Sequence, residues 1–234
     1  MRGWIGSDTC LLGILHHGGL GEALHNLVER LKFVDRREDA LAASQEVEEI
    51  YRQLASEDPP TFAPGLALSL DNLSNCLSDL GHREDALKAA LEATEILQHY
   101  AQDRPTIFNP RLGDSLHNLS DRLSDMGYRE DALAAAQEAV EIRRHLATHH
   151  PAALYPDLAR SLNSFGNRLS DLGHREPALA AIQESTAILR RLAKDHPDDF
   201  SLNLASSLHN LSDRLSDLGH RDERSRKQSK FVGS

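Results

Sequence analysis

One sequence pattern recurs along this chain with a constant spacing of 46 residues. The segment NLSNCLSDLGHREDAL begins at Asn72, close copies begin at Asn118, Ser164 and Asn210, and a diverged copy begins at Asn26. The glycines in the middle of the pattern keep the same spacing, at Gly81, Gly127, Gly173 and Gly219. A fixed period of this length predicts a stack of similar small units, each packed on its neighbours, instead of one globular core.

Each copy has the pattern of two helices joined by a tight turn. Leucines at three- and four-residue steps form one apolar face of the first helix. In the second copy these leucines are Leu66, Leu70, Leu73, Leu77 and Leu80. Pro64 stands just before this helix, and Gly81 ends it, as glycine commonly does. The second helix begins near Glu84 and carries small alanines on one side, which allow close helix packing.

A linker of about ten residues is predicted between successive units. It contains a proline followed three residues later by an apolar residue, at Phe62, Phe108, Leu154 and Phe200. Because an apolar residue that recurs in every linker is poorly suited to solvent, we expect it to pack between neighbouring units.

The predicted fold is therefore all-α, an α-solenoid with a right-handed superhelix of stacked helix–turn–helix hairpins. The predicted units lie near residues 20–65, 66–111, 112–157 and 158–203, with a half unit at 204–220. Residues 1–19 form a separate N-terminal segment, interpreted as either a short capping helix or disordered chain. Residues 221–234 are interpreted as a disordered basic tail.

Composition excludes several classes of protein. A net charge of −10 argues against nucleic acid as the main partner, because phosphate binding needs clustered positive charge. No apolar stretch approaches the roughly 20 residues of a membrane span. Two cysteines are too few for a disulfide framework and favour a reducing, cytoplasmic location. The 13 histidines lack metal-ligand spacing and no nucleophile has a partner arrangement, so we expect no metal, no cofactor and no enzymatic activity.

The pattern resembles the tetratricopeptide repeat, a helix–turn–helix unit with small and large apolar residues at set positions. The matching positions of the second copy are Leu70, Leu73, Ser74, Leu77, Gly81, Ala86, Ala90 and Ala93. The period is longer than the family's usual ~34 residues and, with its Asn-Leu dipeptides, resembles the kinesin light chain type of repeat. The resemblance covers roughly residues 20–220 and implies a non-enzymatic scaffold that binds a protein or peptide segment in a concave groove.

The resemblance also implies which positions line that groove. The predicted ligand-binding residues are Asn72, Asn75, Asp79, His117, Asn118, Asp121, Asp125, Asn163, Asn167, Asp171, His209, Asn210 and Asp213. Asp71 is placed on the same face. Asparagine amides can bond the backbone of an extended segment without reading its sequence. The aspartates add negative potential, so a basic segment is the first partner to consider.

Alternatives to this interpretation remain open. Each turn aspartate has an arginine four residues later, as in Asp79 and Arg83, so these residues can instead form local ion pairs. Few basic residues lie at the groove positions, which argues against a clamp for C-terminal carboxylates. The leucine face of the last half unit also allows self-association through exposed repeat ends. A further alternative is that the chain is a fragment of a larger multidomain signalling or sensor protein.

Overall fold

A computed structural model of the protein describes residues 36–149 and 151–232. The described residues form eight α-helices and no strand. The helices are α1 (Arg37–Glu57), α2 (Pro59–Asp79), α3 (Arg83–Asp103), α4 (Pro105–Asp125), α5 (Arg129–His149), α6 (Pro151–Asp171), α7 (Arg175–Asp195) and α8 (Pro197–Val232). The predicted segment 1–19 and the diverged copy that begins at Asn26 lie outside the described residues.

The chain divides into two compact units. Unit 1 ends at Met126 and contains α1 to α4, and unit 2 begins at Gly127 and contains α5 to α8. Within each unit every helix packs against the next one, and in unit 1 α2 also contacts α4. Consecutive packing of helical hairpins is typical of an α-solenoid, so the predicted all-α fold of stacked hairpins is confirmed.

The predicted turn glycines end the first helices in the expected way. Gly81 has φ +82°, a conformation that costs glycine little because it has no Cβ. The His82 amide donates to the Leu77 carbonyl at 2.9 Å and the Gly81 amide donates to the Ser78 carbonyl at 2.9 Å. These two bonds form a Schellman motif, which satisfies carbonyls that the end of α2 leaves without partners. Gly127 and Gly173 have φ +83° and +80°.

Small residues bring the helices of a hairpin close together. Ala86, Ala90 and Ala93 on α3 are fully buried. The Ser74 hydroxyl on α2 donates to the Ala86 carbonyl at 2.8 Å, so a side chain bonds directly to the backbone of the facing helix. The alanine and leucine faces predicted from the sequence therefore meet as the core of the hairpin.

The predicted ten-residue linker is wrong. A single residue, Asp58, separates α1 from α2, and Pro59 is the first residue of α2. Proline is tolerated at that position because the first helical amides have no intrahelical acceptor. Pro64 consequently lies inside α2 instead of before it. Of the recurring apolar residues, Phe62 and Phe108 are buried, whereas Leu154 and Phe200 are half-buried.

The last repeat differs from the others at its glycine. The pattern predicts a turn at Gly219, but this residue lies inside α8, which continues to Val232 and so includes residues 221–232 of the predicted tail. Arg224, Ser225 and Gln228 occupy the positions of Ala86, Leu87 and Ala90. Without an apolar face, that segment gains no burial energy by folding back, which explains why the turn fails here.

Candidate functional site

The predicted binding residues lie on α2 and α4 in unit 1 and on α6 and α8 in unit 2. In unit 1 they are Asn72, Asn75, Asp79, His117, Asn118, Asp121 and Asp125. In unit 2 they are Asn163, Asn167, Asp171, His209, Asn210 and Asp213. Every one of the asparagines is half-buried, whereas Asp79, Asp125, Asp171, His209 and Asp213 are exposed. We refer to these two sets as the amide–carboxylate faces of unit 1 and unit 2.

Asp71 does not lie open on the unit 1 face as predicted. It is 7% exposed, and its carboxylate accepts a hydrogen bond from the Ser115 hydroxyl of α4 at 3.1 Å. Ser115 in turn bonds the Thr94 hydroxyl of α3 at 3.0 Å. The Asn118 amide also bonds the Asp71 carboxyl. Asp71 therefore joins three helices and holds Asn118, one of the predicted binding residues.

Burial changes the acid strength of this carboxyl. Burial of the carboxyl, with a smaller contribution from the nearby Asp114 charge, raises the pKa of Asp71 from its ordinary value of 3.8 to about 7. The hydrogen bonds from Ser115 and Asn118 favour the ionised form and oppose the shift. A buried carboxyl that bonds Asn118 of the unit 1 face therefore changes its charge near neutral pH.

Unit 2 has the same arrangement without the acid. Asn163 takes the place of Asp71, and the Ser207 hydroxyl donates to its side-chain oxygen at 3.5 Å. Ser207 also bonds the Thr186 hydroxyl at 2.8 Å. An uncharged amide satisfies this position without the cost of burying a charge.

Each face also contains a histidine–aspartate pair one helical turn apart. His117 and Asp121 approach to 3.8 Å in unit 1, and His209 and Asp213 approach to 3.7 Å in unit 2. Since these contacts are ion pairs only when the imidazole is protonated, the two faces carry more net negative charge when the imidazoles are neutral.

The turn aspartates pair differently from the predicted alternative. Asp125 lies 3.8 Å from Arg122, and Asp171 lies 3.4 Å from Arg168, so each pairs with the arginine three residues earlier instead of the one four residues later. The arginine that follows the turn bonds a carbonyl of the next repeat, because Arg129 donates to the Asp171 carbonyl at 3.3 Å. These arginines stabilise helix ends, which leaves the exposed carboxylates at the edge of each face.

The sequence interpretation missed the hydroxyl residues that organise the faces. Thr94 and Thr186, and likewise Ser115 and Ser207, are identical residues two repeat periods apart. Asp71 and Asn163 are also two repeat periods apart, so this spacing could have linked the hydroxyl residues to those two positions. No local pattern indicated that these hydroxyls would meet a carboxyl on another helix.

In the part of the chain that the structure describes, no helix is both long and apolar enough to cross a membrane. Within those same residues, no group of three or more histidine, cysteine or acidic side chains could hold a metal ion.

Comparison with known proteins identifies the repeat. The tetratricopeptide repeat family model matches residues 112–152 and 158–198. A family model described as anaphase-promoting complex subunit 5 matches residues 22–107. Comparison with curated proteins found no matching sequence.

Solved structures agree with the repeat assignment. A Podosopora anserina protein of kinesin light chain type with nearly identical TPR-like repeats has a TM-score of 0.64 and 20% identity, over 89% of this chain and 91% of that one. BtubC (BKLC) from P. vanneervenii has a TM-score of 0.64 and 16% identity, over 97% of this chain and 87% of that one. Aspartyl phosphate phosphatase F from Bacillus subtilis has a TM-score of 0.63 and 16% identity, over 91% of this chain and 50% of that one.

The fold is thus that of a repeat scaffold of stacked helical hairpins, the architecture typical of proteins that bind other proteins. Residues 112–152 and 158–198 match the tetratricopeptide repeat, and the fold is similar to that of the long-period repeats of kinesin light chain type.

Proposed function

We propose that the protein is a binding scaffold whose amide–carboxylate faces hold an extended protein segment, without catalysis. The observation that carries this proposal is the half-burial of the asparagines on both faces. A half-buried amide is held in place by its helix and can still offer a donor or an acceptor to a backbone. Repeated amides on parallel first helices suit a ligand that extends across them.

The unit 1 face suits a basic segment best. Position 76 is cysteine in α2, whereas the equivalent positions in later copies are Arg122, Arg168 and Arg214. The first helices α2 and α4 of unit 1 therefore have one arginine at this position, whereas α6 and α8 of unit 2 have two. The lower positive charge of these unit 1 helices favours a cationic partner on their face. We also propose a cytoplasmic location, since the buried free thiol of Cys76, 3.2 Å from the Ser44 hydroxyl, suits a reducing compartment.

The double substitution Asn72→Ala with Asn118→Ala tests the face of unit 1. Selection from a random peptide library displayed on phage is expected to yield wild-type binders enriched in lysine and arginine. The double variant is expected to bind those peptides about tenfold more weakly, because two amide hydrogen bonds are lost. Binding is measured by fluorescence anisotropy with synthetic copies of the selected peptides.

A matched control replaces two exposed amides outside both faces, Gln102→Ala with Gln183→Ala. This control is expected to bind as the wild type does. Thermal melts of both variants separate lost binding from lost structure, since Asn118 also bonds Asp71. Equal affinity of the Asn72/Asn118 variant and the wild type would move the binding site away from this face.

A second candidate function is self-association through α8. Leu202, Leu208 and Leu215 are 82%, 37% and 50% exposed on this helix. Leu208 and Leu215 correspond to Leu162 and Leu169 on α6, and those two leucines are buried. Exposed leucines on a helix favour contact with a second apolar surface.

Light scattering over a dilution series tests this second function. If α8 mediates association, the wild-type molar mass falls on dilution, and Leu202→Gln with Leu208→Gln gives a monomer at all concentrations. The control Leu91→Gln changes a leucine of unit 1 that is 41% exposed and is expected to leave the mass unchanged. A wild-type mass that is monomeric at every concentration would contradict self-association.

A further inference from the structure

A pocket of about 580 Å³ opens within unit 2 where the first turns of α6 and α8 meet the last turns of α7. Its apolar wall consists of Tyr155 on α6, Ile188 and Leu192 on α7, and Phe200 on α8. The volume lies in the range of roughly 300–1,000 Å³ that small-molecule sites occupy. The amide–carboxylate face of unit 2 uses residues further along α6 and α8, so this pocket is a separate candidate site.

Unit 1 shows what the equivalent space can hold. Tyr100 occupies the position of Leu192, two repeat periods earlier. Its ring packs on Phe108 with 5.5 Å between ring centroids, and its hydroxyl donates to the Pro59 carbonyl at 2.9 Å. Phe200 is the equivalent of Phe108, so the leucine in unit 2 leaves open space beside a ring that a tyrosine packs against in unit 1.

The aromatic wall of the pocket already attracts a cation from its own chain. Tyr155 stands where unit 1 has Ala63, and the Arg191 guanidinium lies 5.9 Å from the centroid of its ring. His196 also packs edge-on against Phe200, with 6.5 Å between centroids. Rings in this arrangement present the negative faces that bind cations.

Two carboxylates stand at the pocket. Asp195 and Asp199 are exposed and line it. Among the side chains that the structure describes, neither carboxylate forms an ion pair. In unit 1 the equivalent of Asp195 is Asp103, but the equivalent of Asp199 is Ile107. The carboxylate of Asp199 therefore has no counterpart in unit 1. Two carboxylates against one arginine leave the pocket with a net negative charge at neutral pH.

We propose that the pocket beside Leu192 binds a small aromatic amine, with its ring against Phe200 and its ammonium group at Asp195 and Asp199. The ring fills the space that Tyr100 fills in unit 1, and the ammonium supplies the positive charge that the two carboxylates lack. Neither feature depends on the proposed role of the amide–carboxylate faces.

Isothermal titration of the full chain with tyramine and tyrosol tests this assignment. The two probes share a phenol ring and an ethyl chain, and they differ in carrying an ammonium or a hydroxyl group. Tyramine is expected to bind at least about tenfold more tightly than tyrosol, because the hydroxyl cannot pair with the carboxylates. The variant Asp195→Asn with Asp199→Asn is expected to reduce tyramine affinity to that of tyrosol.

Two further variants locate the site. Leu192→Tyr copies unit 1 and is expected to abolish tyramine binding by filling the pocket. Asp103→Asn changes the equivalent aspartate of unit 1 and is expected to change nothing. Equal affinities for tyramine and tyrosol, or tighter binding of lysine amide than of tyramine, would overturn the proposal. So would unchanged tyramine binding in the charge variant, whose exposed positions leave the core intact even if Leu192→Tyr fails to fold.

Discussion

Ile182→Ala is expected to lower the free energy of unfolding of unit 2 by about 3 kcal/mol. Ile182 is 0% exposed on α7 and fills the space above Gly166 on α6. A Cβ built at Gly166 would lie 2.7 Å from the Ile182 side chain, so the two residues are already in close contact. Truncation to alanine leaves a cavity that the facing glycine cannot fill. Urea unfolding followed by circular dichroism measures the loss.

The same site makes a second, opposite substitution informative. Gly166→Ser is expected to cost about 2 kcal/mol, because the new side chain overlaps Ile182. In two other copies the equivalents of Gly166 are Ser74 and Ser120, and the equivalents of Ile182 are Ala90 and Ala136. A larger residue at the first position is thus matched by a smaller one at the second. All four of those residues are buried.

The double variant, Gly166→Ser with Ile182→Ala, is therefore expected to be far more stable than the sum of the two single changes predicts. A serine hydroxyl at position 166 could bond the Ala178 carbonyl, as Ser74 bonds Ala86 at 2.8 Å. We expect a coupling energy of about 2 kcal/mol or more from the double-mutant cycle. Purely additive costs would contradict the direct contact between residues 166 and 182.

Asp71→Asn is expected to stabilise unit 1 by up to about 4 kcal/mol at pH 8 and by little at pH 4. The folded state raises the pKa of Asp71 from 3.8 to about 7, so between these values the folded chain holds a proton that the unfolded chain releases. Stability therefore falls as pH rises through this window, by about 1.4 kcal/mol for each pH unit. The asparagine removes this loss because it remains neutral.

Unit 2 provides the reciprocal control for this prediction. Asn163→Asp places a carboxyl against Ser207 and Thr186, the equivalents of the Asp71 partners. This variant is expected to lose stability at pH 8 and to resemble the wild type at pH 4. Chemical unfolding at the two pH values measures both variants. An Asp71→Asn effect of equal size at pH 4 and pH 8 would show that desolvation of the charge is not its cause.

The turn glycines show how much of the fold could be predicted locally. Gly81, Gly127 and Gly173 end the first helices as predicted, with a positive φ that glycine adopts easily because it has no Cβ. Gly219 carries the same local pattern but lies inside α8. A turn at Gly219 would be stabilised only if the following helix could bury an apolar face. Whether the chain turns there therefore depends on residues beyond the local pattern.

The linker shows a different limit. Pro59 and Pro64 both suggested breaks, yet both lie in α2. The first amides of a helix have no intrahelical acceptor, which explains Pro59. Pro64 is the sixth residue of α2, where an i→i−4 hydrogen bond is lost, so its place there does not follow from that rule. Phe62 is buried as expected, because its apolar character required burial in either a loop or a helix.

The candidate site was predictable in residue type more than in detail. The asparagine positions followed from the repeat and its resemblance to a known family, and the structure places them half-buried on first helices. Their role in binding stays a prediction. Asp71 was misplaced, since its burial depends on Ser115, which lies 44 residues away in the sequence.

By itself the sequence determined the period, the two-helix unit and the apolar faces, because these depend on backbone chemistry and on spacing within one helix. The tertiary structure alone decided which equivalent residues differ in environment. Asp71 acquired a raised pKa because three helices exclude water from it. Likewise, the change from Tyr100 to Leu192 became a pocket because Phe200 and Tyr155 surround the space that the smaller side chain leaves.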